Sequence, residues 1–307
     1  MTESPDLSKQ TRQVFHKIHV EHLADDYIAE RHSEVIDLNA MNLESSAISG
    51  KLCADLGCGS AGHGVLNLLR LGAEKVYGLD VDDSFIRTAS ERLKACGFGQ
   101  ERFSFETGSI DALPYPNDTF EFVLCRGVIH HLDNDQQAVN EIYRVLKPGG
   151  IAYIFVTGKG GILNRFFKEI LREEYKENSE LQSLVAKGEL KSWLIAQIAD
   201  LKDRLTPDQS RSYDASQKLL DSVSELIDDD LVLSLRDMVE APSYNSYTEG
   251  EFSEILTRAG FENFYRFGRS PQYRNVRRIF SPLYADHKLP LARLFYHDGS
   301  INVLAFK

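Results

Sequence analysis

Residues 51–64, KLCADLGCGSAGHG, run from a short apolar strand through a glycine-rich turn into the start of a helix. That arrangement sets backbone N–H groups beside a helix N-terminus, where a polar, nucleotide-like ligand can bind. Gly57, Gly59 and Gly62 satisfy G-x-G-x-x-G, the dinucleotide fingerprint, yet Asp55 makes the same residues D-x-G-x-G. The turn by itself leaves the cofactor open between two classes.

Working outward, the chain alternates strand and helix. A buried strand over 52–56 is followed by a helix over 62–71, a strand over 75–80 and a helix over 83–96. Strands over 102–106 and 120–125 come next, then a helix over 135–146 that stops at Lys147, Pro148, Gly149 and Gly150 before a fifth strand over 151–156. This rhythm predicts an α/β fold with a doubly wound parallel sheet and ligands outside the carboxyl ends of its strands. Upstream, Val14, Ile18, Leu23, Tyr27 and Ile28 mark a helix over 11–38; the plain reading is that it packs on the domain that follows, the functional and compatible one that it also lids a cofactor cleft, with Tyr27 a candidate acceptor contact. Downstream the rhythm breaks into a charged, mostly helical insertion with segments over 163–175, 180–205 and 216–237. It resumes at TEGEFSEILTRAG (248–260), where Thr248 and Glu251 form a capping box and Gly260 closes the helix. Two last strands, over 261–267 and 301–306, flank a long connection, and long connections in compact domains tend to be functional or disordered. The expected organisation is an N-terminal helical lid (1–46), a cofactor-binding core (47–158), a helical cap (159–245) and a C-terminal completion of the core (246–307).

With 307 residues, 42% of them hydrophobic, the chain can bury a sizeable core. A formal charge of -11 and a pI near 5.3 argue against nucleic acid and anionic membranes as general partners, because the field of the whole molecule repels both. Cys53, Cys58, Cys96 and Cys125 contain no C-x-x-C pair, and neither a secretory signal nor an apolar run of about 20 residues is present. No metal site is expected, and a reducing cytoplasm fits best.

Asp80 ends the second strand about 20 residues past the turn, where a carboxylate accepts hydrogen bonds from both ribose hydroxyls of an adenosine; its alternative reading is a helix cap. NAD and S-adenosylmethionine both carry that ribose. DLGCG (55–59), GLDVD (78–82), GSIDALPYPNDTFEFVLCRGVIHHL (108–132) and EIYRVLKPGG (141–150), in this order and spacing, resemble the class I S-adenosylmethionine-dependent methyltransferases. The resemblance covers about 51–156, with weaker similarity through the last helix and two strands. It implies a seven-stranded sheet of order 3-2-1-4-5-7-6 with strand seven antiparallel. It also implies that Asp55, Gly57 and Gly59 line the methionine end of the cofactor, Asp80 holds the ribose, Val81 packs on the adenine, and Asp111 with Ile110 beside it meets the adenine amino group. Arg126 then lies beside the methionine moiety and the transferable methyl, where small or polar residues are common in the family. An acidic Asp55 also disfavours a dinucleotide pyrophosphate, which leaves the NAD-dependent oxidoreductase as the remote reading. A protein that binds the cofactor without chemistry is the third class.

Methyl transfer from a sulfonium is an in-line displacement, so the protein has to position a nucleophile and exclude water. His130 and His131 follow strand four and are candidate bases for a protonated acceptor, His130 favoured by its proximity to the strand end; the alternative is that one of them packs or orients the loop. An Asn-Pro-Pro-Tyr motif after strand four, the mark of amide or base amino methylation, is absent, which favours a small molecule over nucleic acid. The insertion either roofs the cleft over such an acceptor or forms a homodimer contact. From Phe264 to Arg293 there are seven basic residues (Arg266, Arg269, Arg274, Arg277, Arg278, Lys288, Arg293) and one acid, Asp286. Arg274 and Arg277, with Tyr244 and Tyr247 upstream, are therefore candidate contacts for an anionic acceptor; the alternative is pairing with the acidic insertion helices around 228–230. The expected reaction is methylation at nitrogen or oxygen, with carbon as the alternative.

Overall fold

The computed structural model describes residues 13, 14, 16, 36–162, 169–205, 211–269 and 276–307. Strand β1 (Leu52–Leu56) is buried at four of its five residues, as a central parallel strand covered on both faces should be. The glycine-rich turn leads into helix α1 (His63–Arg70), which buries Val65, Leu66, Leu68 and Leu69 against the sheet. β2 (Lys75–Asp80), α2 (Asp83–Ala95), β3 (Phe103–Thr107), β4 (Phe120–Arg126), α3 (Asp135–Val145) and β5 (Leu146–Thr157) continue the alternation.

Among the described residues the insertion holds helices α4 (Ile170–Glu177), α5 (Ser179–Lys187), α6 (Leu190–Arg204), α7 (Arg211–Leu226) and α8 (Asp229–Glu240), which form the cap. Two of the expected long helices are each broken in two. Gly188 takes a left-handed conformation that ends α5, and Asp228 accepts from the Leu231 N–H to start α8. The expected helix over 11–38 falls largely outside the described residues, as do 163–168 of the one expected over 163–175, whose remainder is found in α4.

The chain then closes the sheet with α9 (Glu249–Ala259), β6 (Asn263–Phe267) and β7 (Ser300–Phe306). Between the last two strands lie a 3-10 turn (Val276–Phe280) and two short helices, α10 (Ser281–Ala285) and α11 (Pro290–Phe295). Strand order is β3-β2-β1-β4-β5-β7-β6, and β7 runs antiparallel to both its neighbours, as the resemblance implied. The capping box at Thr248 and Glu251 and the left-handed Gly260 are both present. β5 begins earlier than expected: the ladder to β4 pairs Phe120 with Leu146, then skips Lys147–Gly150 and resumes with Phe122 opposite Ile151. Pro148 lacks an N–H and Gly149 has φ +79°, so the run bulges and pairs instead with Lys307 at the end of β7.

Apolar layers cover both faces. Phe120, Val123, Ile142, Phe252 and Phe261 fill one, and Ile48, Leu68, Phe122, Leu124 and Tyr153 the other. The cap has its own small core of Leu181, Val185, Leu190, Ile227 and Val232. Every carboxyl end of the parallel strands faces the side from which the cap departs after β5.

Candidate active site

Asp55 closes β1 and is almost fully buried. Its carboxylate accepts from the Val65 N–H in the first turn of α1, a favourable place for an anion. Burial pushes its pKa up to about 7, opposed by the charge of Arg126 and by the Val65 hydrogen bond. Gly64 is glycine because a Cβ there would stand 2.3 Å from Asp55 Oδ2. Gly57 has φ +78°, and a Cβ on it would strike Val128 at 2.2 Å, so the turn lies directly under the residues that follow β4.

Asp80 lies within this turn. Its Oδ2 accepts from the Gly59 N–H at 2.9 Å and its Oδ1 from the Asp82 N–H at 3.1 Å. Burial raises its pKa, and those backbone donors oppose the rise. The helix-cap reading belongs to Asp82, whose side chain accepts from Ser84 N–H as the N-cap of α2. Val81 exposes its apolar side chain beside the buried Asp80, while Ile110 is buried and Asp111 is half-buried just past β3. His16 adds a partner that the sequence did not announce. Its Nδ1 lies 2.9 Å from Asp82 Oδ2 and 3.1 Å from Ser84 Oγ, and its ring is parallel to that of Phe85. Burial alone would raise the Asp82 pKa, but the hydrogen bonds from Ser84 and His16 hold it below the usual carboxylate range.

At the end of β4, Arg126 lies over the rings of Tyr153 and Phe155, 5.7 and 5.8 Å from their centres. Its Nε is buried, and the guanidinium makes no hydrogen bond or ion pair among the described residues. The chain then turns through a 3-10 segment, Ile129–His131, in which both histidines are buried. Their rings lie 4.2 Å apart, and His130 also meets Phe155 edge-on. Tyr244 stands at 5.4 Å from each, and its hydroxyl is 3.2 Å from Thr157 Oγ1. The roof comes from the cap. His131 Nδ1 is 3.3 Å from the Ser243 carbonyl and its Nε2 is 3.8 Å from Asp237 Oδ2, while Arg172 lies over Tyr244 and donates to the Met238 and Ala241 carbonyls. Burial lowers the His131 pKa, with Asp237 and the Ser243 bond opposing, so the imidazole is neutral near pH 7. A Nδ1–H donated to Ser243 leaves the lone pair on Nε2, the nitrogen facing Asp237.

The remaining expected residues fall elsewhere. Tyr247 is buried in the core, with its hydroxyl donating to Asp135 Oδ2 at 2.9 Å. Tyr27 and Arg274 lie outside the described residues, as does the side chain of Arg277. Arg266, part of the same basic run, is committed to Glu249 and Asp298. The residues that sequence reasoning missed are His16, Asp82, Phe155, Arg172, Asp237 and the Ser243 carbonyl. Only Asp82 carried a local signal, since GLDVDDS reads as a strand end followed by an N-cap.

The donor set suits an adenosine cofactor with an amino-acid end. A carboxylate at the end of β2, a glycine turn without room for side chains and an uncommitted guanidinium beside a buried carboxyl fit a ribose and a zwitterion. A pyrophosphate would instead face Asp55 and Asp80 together. A family model described as a methyltransferase domain matches residues 54–154. The demethylmenaquinone methyltransferase of Geobacillus kaustophilus (strain HTA426) is 27% identical over 147 residues, covering 43% of this chain and 62% of that protein. An uncharacterized methyltransferase of Bacillus subtilis (strain 168) is 34% identical over 96 residues, 31% of this chain and 36% of that protein. The chain thus spans less than two thirds of the length of these relatives. Among solved structures, an S-adenosylmethionine-dependent methyltransferase from Thermotoga maritima aligns over 96% of this chain and 99% of its own, at 15% identity and a TM-score of 0.49. The stretch that matches the methyltransferase-domain model, residues 54–154, runs from β1 into β5 and holds both the Asp55 turn and the Asp80 carboxylate.

Proposed function

We propose that this protein is an S-adenosylmethionine-dependent methyltransferase that moves a methyl group to a nitrogen or oxygen of a small, anionic acceptor by in-line displacement. The observation that carries the reading is the continuity of two sites. The glycine turn lies against Val128, two residues before the buried His130 and His131, which pack on the half-buried Tyr244 and meet Asp237 and Ser243 of the insertion. Asp80 is assigned the ribose, Val81, Ile110 and Asp111 the adenine, and Asp55 with Gly57 and Gly59 the methionine end. When bound, the cofactor supplies an electrophilic methyl on a sulfonium. The chain's own contribution is to hold the acceptor in a closed chamber and to accept its proton at His131 Nε2, where Asp237 stabilises the imidazolium that forms. Arg126 supports an anionic acceptor, because its guanidinium, held over Tyr153 and Phe155, makes no hydrogen bond among the described residues and can serve as a counter-charge.

The test is S-adenosylhomocysteine formation from S-adenosylmethionine with a panel of small acids, amines and phenols. The expected result is turnover with one acceptor class, and for His131→Ala a fall in kcat of about 10²–10⁴-fold with unchanged S-adenosylhomocysteine affinity. Product without loss in that variant removes His131 from the chemistry, and no cofactor binding at all removes the whole reading. The position of the new methyl, read by NMR of the product, separates nitrogen and oxygen from carbon. A homodimer contact through the insertion is supported by the exposed Trp193, Ile195 and Leu201 of α6 and Leu219 of α7. Light scattering on Leu201→Glu tests it, with a monomeric mass expected. No helix among the described residues is long and apolar enough to cross a membrane.

A further inference from the structure

Residues 278–295 include none of those assigned above to the cofactor or to the histidine cluster. They fold into a small unit about a ring cluster: Phe280 packs on Phe295 and Tyr296, and Tyr284 on Tyr296 at 4.3 Å. With its aromatic side chains turned inward, the unit presents Ile279, Leu289, Leu291 and Leu294 to solvent, 67, 40, 51 and 54% exposed. These are four of the twelve large apolar side chains exposed among the described residues, so a third of them crowd into sixteen positions. Leu291 and Leu294 are three apart on α11 and share a face. Arg278, Lys288 and Arg293, each next to one of these apolar residues in the chain, are exposed too, and no carboxylate engages these three side chains among the described residues. The run carries one acid, Asp286, and so has a local charge of about +2 within a chain of -11.

We propose that this patch is a docking surface for an anionic lipid bilayer. A second copy of the chain is a poor occupant, because a two-fold contact would set the cations of one patch against those of the other. The patch is a knob of leucines fringed by long cations, the form in which apolar side chains enter the acyl boundary while Lys and Arg reach headgroup phosphates. Its position gives the docking a consequence. β7 starts opposite the end of β5, Asp298 N–H donates to the Lys159 carbonyl, and Gly161 lies against the Tyr296 backbone. The knob therefore projects from the edge of the sheet on which the candidate site opens, next to the root of the cap.

The experiment is co-sedimentation of the full chain with vesicles of phosphatidylcholine alone and of phosphatidylcholine mixed with phosphatidylglycerol. Binding to the mixed vesicles is expected, stronger by about tenfold or more than to the neutral ones, and weakened by salt. The double variants Leu291→Glu with Leu294→Glu, and Arg278→Glu with Arg293→Glu, should each reduce that binding by about tenfold or more. Both should keep the wild-type melting temperature and S-adenosylhomocysteine affinity, which separates this inference from the reading of the chamber. Failure to sediment with either vesicle overturns the proposal, as does vesicle binding that survives both variants. A drop in solution mass in the leucine variant without vesicle binding assigns the knob to self-association instead.

Discussion

Asp55 joins two elements of the fold at the turn proposed to hold the cofactor. It ties the end of β1 to the start of α1 and lies beside Arg126, yet its burial keeps its pKa near 7 against an ordinary value of 3.8. A raised carboxyl favours the folded state while protonated, so its contribution is full below about pH 4 and is lost as pH rises toward 7. The difference corresponds to at most about 4 kcal/mol. We predict that the ligand-free protein melts at progressively lower temperature across that window and that Asp55→Asn flattens the slope; equal slopes in the two proteins would refute this origin. A cofactor bearing positive charge reverses the preference, and its binding should then release a proton below pH 7, visible as a buffer-dependent heat in calorimetry. Asp80→Ala is expected to weaken S-adenosylhomocysteine binding by about 10–100-fold, the worth of hydrogen bonds to a charged group. Unchanged affinity would move the ribose elsewhere. Gly64→Ala drives a methyl into Asp55 Oδ2, and a destabilisation of about 1–3 kcal/mol with weakened cofactor binding is expected from thermal and binding titrations.

At the scale of elements, what was legible depended on whether the signal was local. β1 and β2 ended where apolar runs met the glycine turn and Asp80, and α9 was framed by Thr248, Glu251 and Gly260, each of which acts within four residues of its target. Thr248→Ala should therefore cost about 1 kcal/mol in denaturant melts and leave cofactor affinity intact. The breaks at Gly188 and Asp228 were missed because charged residues with scattered apolar positions run through them without a gap. His131 illustrates the deeper limit: the Ser243 carbonyl that sets its tautomer is 112 positions away, and only the folded cap brings it near. Tyr247 shows the converse. It sits close to Tyr244 in sequence, but its hydroxyl is engaged with Asp135 inside the core, so Tyr247→Phe is predicted to lower the melting temperature while leaving the KM for the acceptor unchanged. A raised KM with an unaltered melt would make it an acceptor contact.

Over the whole molecule, net charge says little about any single face. The average of -11 hides the basic, leucine-bearing knob and also the uncommitted Arg126. Near the N-terminus, two residues a step apart reach different bodies. His16 rests on Asp82 at the rim of the nucleotide cleft, and Val14 packs on Leu233 of cap helix α8. His16→Ala should hasten S-adenosylhomocysteine dissociation by roughly threefold to tenfold in stopped-flow displacement, given a half-exposed partner of a charged group. Because one short run fastens both rim and roof, peeling it back would free the two products in a single event. Turnover would then be paced by an exit gate instead of by bond making, and the first cycle would run ahead of the steady state as a burst of S-adenosylhomocysteine.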